Sequence, residues 1–218
     1  MPGMIYIARH GETDWNAAAR IQGQQDTSLS ANGFRQRNHL FQLLKDEPLQ
    51  RIYTSALRRT VLTAEPLARE NDCPLIPMAD LNELGFGVME GIPVNNLTDA
   101  DQALWDWWLE DPLERNFPGG GESYLQLLGR IDSFLEAFRP PAHARAVLVV
   151  GHMRTNQMIL HRFLNMDLSD ALRIRQPNNC IYRLHTGEDR KLEYILLPAD
   201  AGNPEWEEGI FLETQWED

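Results

Sequence analysis

Cysteine is nearly missing from this chain: Cys73 and Cys180 are the only two in 218 residues. They stand at no metal-ligating spacing, and two thiols make no disulfide framework. A reducing compartment, and hence a cytoplasmic location, is the expectation. Long apolar runs are missing too. None approaches the roughly 18 residues of a membrane-crossing helix. The N-terminus has no basic stretch leading into an apolar one, so no signal peptide is expected. Basic residues are scarce, 20 Lys+Arg against 32 Asp+Glu, for a formal net charge of -12. That balance argues against a nucleic-acid partner, which leaves a basic footprint. Neither G-x-x-x-x-G-K-[ST] nor G-x-G-x-x-G occurs, so Gly119 to Gly121 are not by motif a phosphate loop. Internal repeats and low-complexity linkers are also lacking.

What is present supports a folded enzyme-sized unit. Hydrophobic residues make up 43%, enough for a sizeable core in a single domain. In so acidic a chain, an anion site must concentrate its positive charge locally, so clustered arginines are informative.

The first cluster is Arg9-His10, directly behind the apolar run Met4 to Ala8. That run reads as a short buried strand whose carboxyl end carries the pair. Ligands bind at that edge of an open α/β sheet. A polar stretch, Asp14 to Gly33, follows, long enough to be functional. Phe34 to Asp46 reads as a helix closed by Pro48.

Arg51 to Thr54 is a second strand candidate. Ser55 reads as an N-cap for a helix over Leu57 to Arg69, bent or broken near Pro66. Arg58 and Arg59 then sit on a helix's first turn, a place that favours anions; alone, they read equally as surface charges. Leu75 to Met78 is a third strand candidate. Residues 94 to 117 carry Trp105, Trp107 and Trp108 among acids. They read as a helical excursion capping a site, or as a surface helix whose tryptophans are core. Tyr124 to Phe138 has the spacing of a helix, with Tyr124, Leu125, Leu128, Ile131, Leu135 and Phe138 on the buried face.

Ala146 to Val150, apolar throughout, reads as a central parallel strand ending in Gly151-His152. Thr155 to Leu164 is the next helix. Ile181 to His185 and Leu192 to Leu197 read as a hairpin across Thr186 to Arg190. From Leu192 onward there is no lysine, arginine or histidine. The acidic tail from about residue 199 reads as solvated, or as a strip over the core.

Strands alternating with helices define an α/β sheet. Three strand ends then carry Arg9-His10, Arg58-Arg59 and His152 to one edge. Together they form a positive pocket suited to a dianion, and arginine grips phosphate bidentately. His152 and His161 are nine apart, on opposite sides of any helix carrying both, so they are not read as joint metal ligands.

These residues resemble the histidine phosphatase superfamily, in its phosphoglycerate-mutase-like branch, over roughly residues 4 to 185. Arg9-His10-Gly11-Glu12-Thr13 with Trp15-Asn16 is similar to its signature. So is the continuation Arg20, Gln22-Gly23, Asp26, Leu29-Ser30 and Gly33. Ser55-x-Leu57-x-Arg59 with Thr63-Ala64 resembles the second block and selects Arg59 over Arg58. Leu81-Asn82-Glu83 with Gly87 and Glu90-Gly91 is similar to the third. Gly119 to Ser123 and Val149 to His152 complete the set.

The resemblance implies a three-layer α/β sandwich, with a mainly parallel central sheet between helices and a cap insertion at about 86–121. It implies His10 as the nucleophile, with Arg9, Arg59 and His152 around the phosphoryl oxygens. Glu83 would be the acid that protonates the leaving oxygen. Asn16, Gln22, Gly23 and Met153 would complete the phosphate and substrate contacts. No metal and no cofactor is expected. The expected partner is a small phosphorylated metabolite; oligomeric state is left open, a homodimer included.

Three departures stand out. Met153-Arg154 follows His152 where the family usually has glycine. Met89 replaces the usual tryptophan, and Thr60 the usual alanine. The paired arginines with which the family's mutases hold a carboxylate have no clear counterpart, Arg115 being the nearest single candidate. The expected activity is therefore a phosphomonoesterase working through a phosphohistidine. A mutase-type phosphotransferase is the alternative, and a non-catalytic phospho-ligand binder a third reading.

Overall fold

The computed structural model describes residues 3–139, 144–186, 191–198 and 204–211. A seven-stranded sheet runs in the order β3-β2-β4-β1-β5-β6-β7. The strands are β1 Met4–Arg9, β2 Leu49–Ser55, β3 Leu75–Met78, β4 Ala146–Gly151, β5 Cys180–His185, β6 Leu192–Leu196 and β7 Glu207–Glu208. The first four are mutually parallel; the last three add antiparallel strands at one side. β4 is buried at every position, as its uninterrupted apolar sequence requires of a strand covered on both faces.

Alternate side chains feed two cores. Tyr6, Ala8, Ile52, Leu148 and Val150 face α2 (Ala31–Leu44) and α3 (Arg58–Glu70), through Leu40, Leu44, Ala64 and Leu67. Ile5, Ile7, Tyr53, Val147 and Val149 face the opposite core. α5 (Tyr124–Ala137) and α6 (Met153–Leu164) supply it with Leu127, Ile131, Phe134, Met158 and Ile159. Each such buried aliphatic or aromatic side chain contributes about 1.5–3 kcal/mol. The result is the expected three-layer α/β architecture with a mainly parallel central sheet.

Helix ends follow local chemistry. Ser30 caps α2 through the Gly33 amide, so that helix begins three residues before the predicted Phe34. Ser123 and Gln126 form a reciprocal capping box on α5, and Thr98 and Asp101 another on α4 (Asp99–Glu110). Short helices α1 (Asp14–Ala17) and α7 (Leu168–Ala171) complete the set among the described residues.

Several expectations are corrected. α3 runs through Pro66 without a break, and its N-cap is Leu57, not Ser55. On α5, Leu125 is exposed, while Leu127 and Phe134 face the core. α6 starts at Met153 rather than Thr155. Of the tail, 204–211 is described, and it covers the core. Trp206 lies 6.1 Å from the Tyr6 ring, with the Arg183 guanidinium 4.0 Å over it, and Phe211 meets Tyr194. The rest of the tail and most of the predicted hairpin turn lie outside the described residues.

The α4 tryptophans divide between core and cavity wall. Trp108 is buried against Phe86, Phe117 and Tyr124. Trp105 stacks on Phe86 and also lines a cavity.

Candidate active site

Strand register brings the first two histidines together. Arg9 of β1 pairs with Gly151 of β4, so the next residues along, His10 and His152, emerge side by side. The His10 amide donates to the Gly151 carbonyl at 3.1 Å, and the two rings lie 5.1 Å apart. Ser55, at the end of neighbouring β2, receives a hydrogen bond from His152. Arg59 follows from the first turn of α3. Glu83 follows β3 after a 3-10 turn at Ala79–Leu81.

Hydrogen bonding fixes both imidazole tautomers. Nδ1 of His10 is 2.8 Å from the Gly11 carbonyl oxygen, which can only accept. Nδ1 therefore carries the proton, and Nε2 presents its lone pair. In His152 the pattern is reversed. Arg59 Nε, a donor only, points at His152 Nδ1 at 3.3 Å. The His152 proton is thus on Nε2, 2.8 Å from the Ser55 hydroxyl oxygen. Ser55 in turn meets Thr60 Oγ1 at 2.8 Å, which donates to the Leu57 carbonyl. The threonine that departs from the family's usual alanine thus closes this chain of hydrogen bonds.

Burial holds both rings neutral. His10 is pushed well below the usual histidine value by desolvation first, then by the charges of Arg59 and Arg9. His152 is lowered likewise by desolvation, with Arg59 next. Arg59 is fully buried and lowered to about 10 by desolvation, with Glu83 opposing. Arg9 is also lowered to about 10, for the same first cause. Both guanidiniums therefore remain charged at neutral pH.

Backbone carbonyls position them. Arg59 donates to the Gly23 and Gln25 carbonyls at 2.7 and 2.6 Å. Arg9 donates to the Gln176 carbonyl at 3.0 Å, and its buried Nε has no partner among the described residues. The Gln176 side chain is itself held by Asn156 and the Ile7 and Cys180 carbonyls. Gly23 has φ +52°, and a Cβ there would sit 2.0 Å from Glu90 Oε1. Only glycine fits that turn comfortably. Glu90 closes the same loop by accepting from the Gln24 and Phe86 amides.

A second support lies behind Glu83. Arg130 makes a two-pronged ion pair with Glu122, 2.7 Å on each arm. It also donates to the Asp80, Asn82 and Glu83 carbonyls. Glu122 accepts from the Gly85 amide and from Gln24. The Glu83 carboxylate receives the Leu84 amide at 3.0 Å.

The cavity here measures about 260 Å³. Arg9, His10, Arg59, Glu83, Asn16, Gln22 and Gly23 all line it. The Asn16 carbonyl oxygen is occupied by Thr13, so its amide nitrogen is the group left for a ligand. His152 lies fully buried against His10 and Arg59 rather than on the cavity surface. Met153, an expected contact, is half-buried and does not line the cavity. Arg115 is also elsewhere: it pairs with Glu110 and lies 5.0 Å over Trp107.

The sequence reading did not place the rest of the wall. Arg20, Ile21, Phe86, Val94, Trp105 and Arg154 complete it. Arg20 stands in a motif that gives it no role, whereas Arg154, in the departure after His152, and Trp105, in the segment expected to cap a site, come from stretches that pointed to the pocket without naming a contact. Arg130 had no signal beyond its distance from Glu122.

Fold and site together define an α/β protein with an arginine-lined pocket at the carboxyl edge of its parallel strands. Within that pocket an imidazole lone pair stands beside the buried Arg59, the half-buried Arg9 and a carboxylate. The chain belongs to the histidine phosphatase superfamily (branch 1), whose family model matches residues 5–195. It is 32% identical over 199 residues to the Shigella boydii protein named probable phosphoglycerate mutase GpmB, covering 91% of this chain and 92% of that one. The protein of the same name from Proteus mirabilis is 34% identical over 181 residues, 83% of each chain. Among solved structures, the α-ribazole phosphatase from Shigella flexneri superposes with a TM-score of 0.79. It is 24% identical, over 92% of this chain and 98% of that one. A mycobacterial glucosyl-3-phosphoglycerate phosphatase gives 0.72 at 21% identity, over 96% and 98%. At those identities the likeness is one of fold.

Proposed function

We propose that the protein is a phosphomonoesterase that hydrolyses a small phosphorylated metabolite through a phosphohistidine on His10. The observation that carries this reading is the His10 tautomer: a neutral ring with an unprotonated Nε2, lining a cavity together with Arg9, Arg59 and Glu83. Nε2 attacks phosphorus and the bond to the leaving oxygen breaks. Glu83, protonated at this step, gives its proton to that oxygen. Water then attacks the phosphoryl group, Glu83 takes a proton from it, and the phosphorus–nitrogen bond breaks to restore His10. Splitting one displacement into two is the gain from a covalent nucleophile.

Arg9 and Arg59 stabilise the phosphoryl oxygens as charge spreads over them, and the Asn16 amide adds a neutral donor. The two guanidiniums supply the positive charge, so the reading requires no metal or cofactor. His152 acts from behind, holding Arg59 through Nδ1. The cytoplasm, where phosphorylated metabolites are found, suits such an enzyme.

A panel of phosphomonoesters tests the proposal. Wild type should release inorganic phosphate and His10→Ala should not. Equal release by the two would overturn it. A second reading, phosphoryl transfer of the mutase type, is favoured by the names of the relatives at 32% and 34% identity. Formation of 2-phosphoglycerate from 3-phosphoglycerate with a bisphosphoglycerate primer would select it.

A further inference from the structure

The cavity holds more positive charge than phosphate binding at His10 uses. Arg154, second residue of α6, lies 4.7 Å over the Phe86 ring, and Phe86 stacks on Trp105 at 6.0 Å and 18°. Its Nε is buried with no hydrogen-bond partner among the described residues, and the guanidinium meets the Tyr124 hydroxyl. Its backbone amide lies 3.5 Å from Glu83 Oε2, which puts the residue beside the proton donor of the proposed reaction. Arg20 lines the same cavity, held by the Gly91 carbonyl at 2.8 Å.

Neither arginine forms an ion pair among the described residues, in a chain with 32 acidic and 20 basic side chains. Arg154 is half-buried and Arg20 exposed at the cavity mouth, so an unpaired charge is costly chiefly at Arg154, where water is partly excluded, unless a ligand anion meets it. The direction agrees with Arg9, whose own charge is disfavoured in part by Arg154.

Resting on the phosphomonoesterase reading, we propose that Arg154 and Arg20 form a second anion subsite, so that the substrate's leaving alcohol carries its own anionic group, a carboxylate or a second phosphate. The planar fork of Arg154 is oriented by its stacking on Phe86, which favours bidentate contact. Trp105 and Val94 offer apolar surface beside it for the carbon part of the substrate.

Matched esters read this directly. One pair is 3-phosphoglycerate against glycerol 3-phosphate; the other is propane-1,3-diol bisphosphate against 3-hydroxypropyl phosphate. The anionic member of at least one pair should have a kcat/KM about 10- to 100-fold higher, the scale of a charged hydrogen bond. The pair that responds names the group as carboxylate or phosphate. Arg154→Gln should remove at least tenfold of that preference, chiefly through KM, and Arg154→Lys should retain part of it. Wild type that treats both members of both pairs alike would overturn the proposal. So would an Arg154→Gln loss equal on charged and neutral esters, which marks a structural role. If no ester at all is hydrolysed, p-nitrophenyl phosphate included, the phosphomonoesterase reading fails by itself. Calorimetric binding of the same pairs to His10→Ala, with and without Arg154→Gln, then decides the subsite. Preference for the charged member, lost in the double variant, supports it; its absence overturns it.

Discussion

Arg59 Nε donates to His152 Nδ1 at 3.3 Å, and that single contact sets the protonation of a buried ring. Because the guanidinium cannot accept, the proton of His152 is driven to Nε2 and onto Ser55. Removing the acceptor should therefore be felt at the arginine. Ser55→Ala leaves a buried donor unpaired, which costs about 1–3 kcal/mol. Urea denaturation should show that loss, and kcat should fall with it as Arg59 loses its fixed partner. Wild-type stability in Ser55→Ala would contradict the assigned tautomer.

Acid should weaken the fold through the same rings. His10 and His152 have native pKa values depressed well below the unfolded 6.5. Below pH 6.5 the unfolded chain binds protons that the native state refuses, so stability falls as pH falls; above 6.5 neither ring contributes to the pH dependence. The limiting slope is about 1.4 kcal/mol per pH unit for each ring. Urea midpoints at pH 7.5 and 5.5 should show a smaller difference in His10→Gln than in wild type. An unchanged difference would mean that His10 is not held neutral.

How far the sequence reaches is visible in such residues. Arg9, His10 and His152 were legible because an uninterrupted apolar strand announces its own end, and parallel register does the rest. Ser55 was misread because its short-range pattern is that of an N-cap, while a partner 97 residues away claims its hydroxyl. The start of α6 was misplaced because its N-cap is His152, whose side chain is committed elsewhere and gives no capping signal. Arg154, Trp105 and Arg130 come to the site through packing between distant segments, which periodicity cannot encode. Trp206 is the same case at the far side of the sheet, where composition alone suggested solvent.

The Glu122–Arg130 pair should couple stability to turnover. Arg130→Gln strands a partly buried carboxylate and frees the three carbonyls around Glu83. Breaking a fully buried pair in this way costs about 3–5 kcal/mol, an upper bound for this partly exposed one. A lowered denaturation midpoint together with reduced kcat is expected. Reduced stability with wild-type kcat would separate this support from the site.

Gly23→Ala tests the loop that holds Arg59. A side chain at φ +52° is strained by about 1–2 kcal/mol, before the close approach to Glu90 is relieved. The Gly23 carbonyl should shift from Arg59, lowering kcat/KM for every phosphomonoester alike, as steady-state kinetics across the panel would show. Selective loss on one substrate would contradict a shared phosphate clamp.

Glu83→Gln should discriminate by leaving group. Alkyl phosphates need the proton and should lose about 100-fold or more, while aryl phosphates should lose least. A uniform loss across leaving-group pKa would count against Glu83 as the acid.

The central claim is that His10 carries the phosphoryl group. Acid-sensitive, base-stable label should be trapped on the peptide containing His10 when the enzyme is quenched during turnover with a radiolabelled phosphomonoester, and His10→Ala should trap none. Label on another residue, or full turnover with no label at all, would contradict the account.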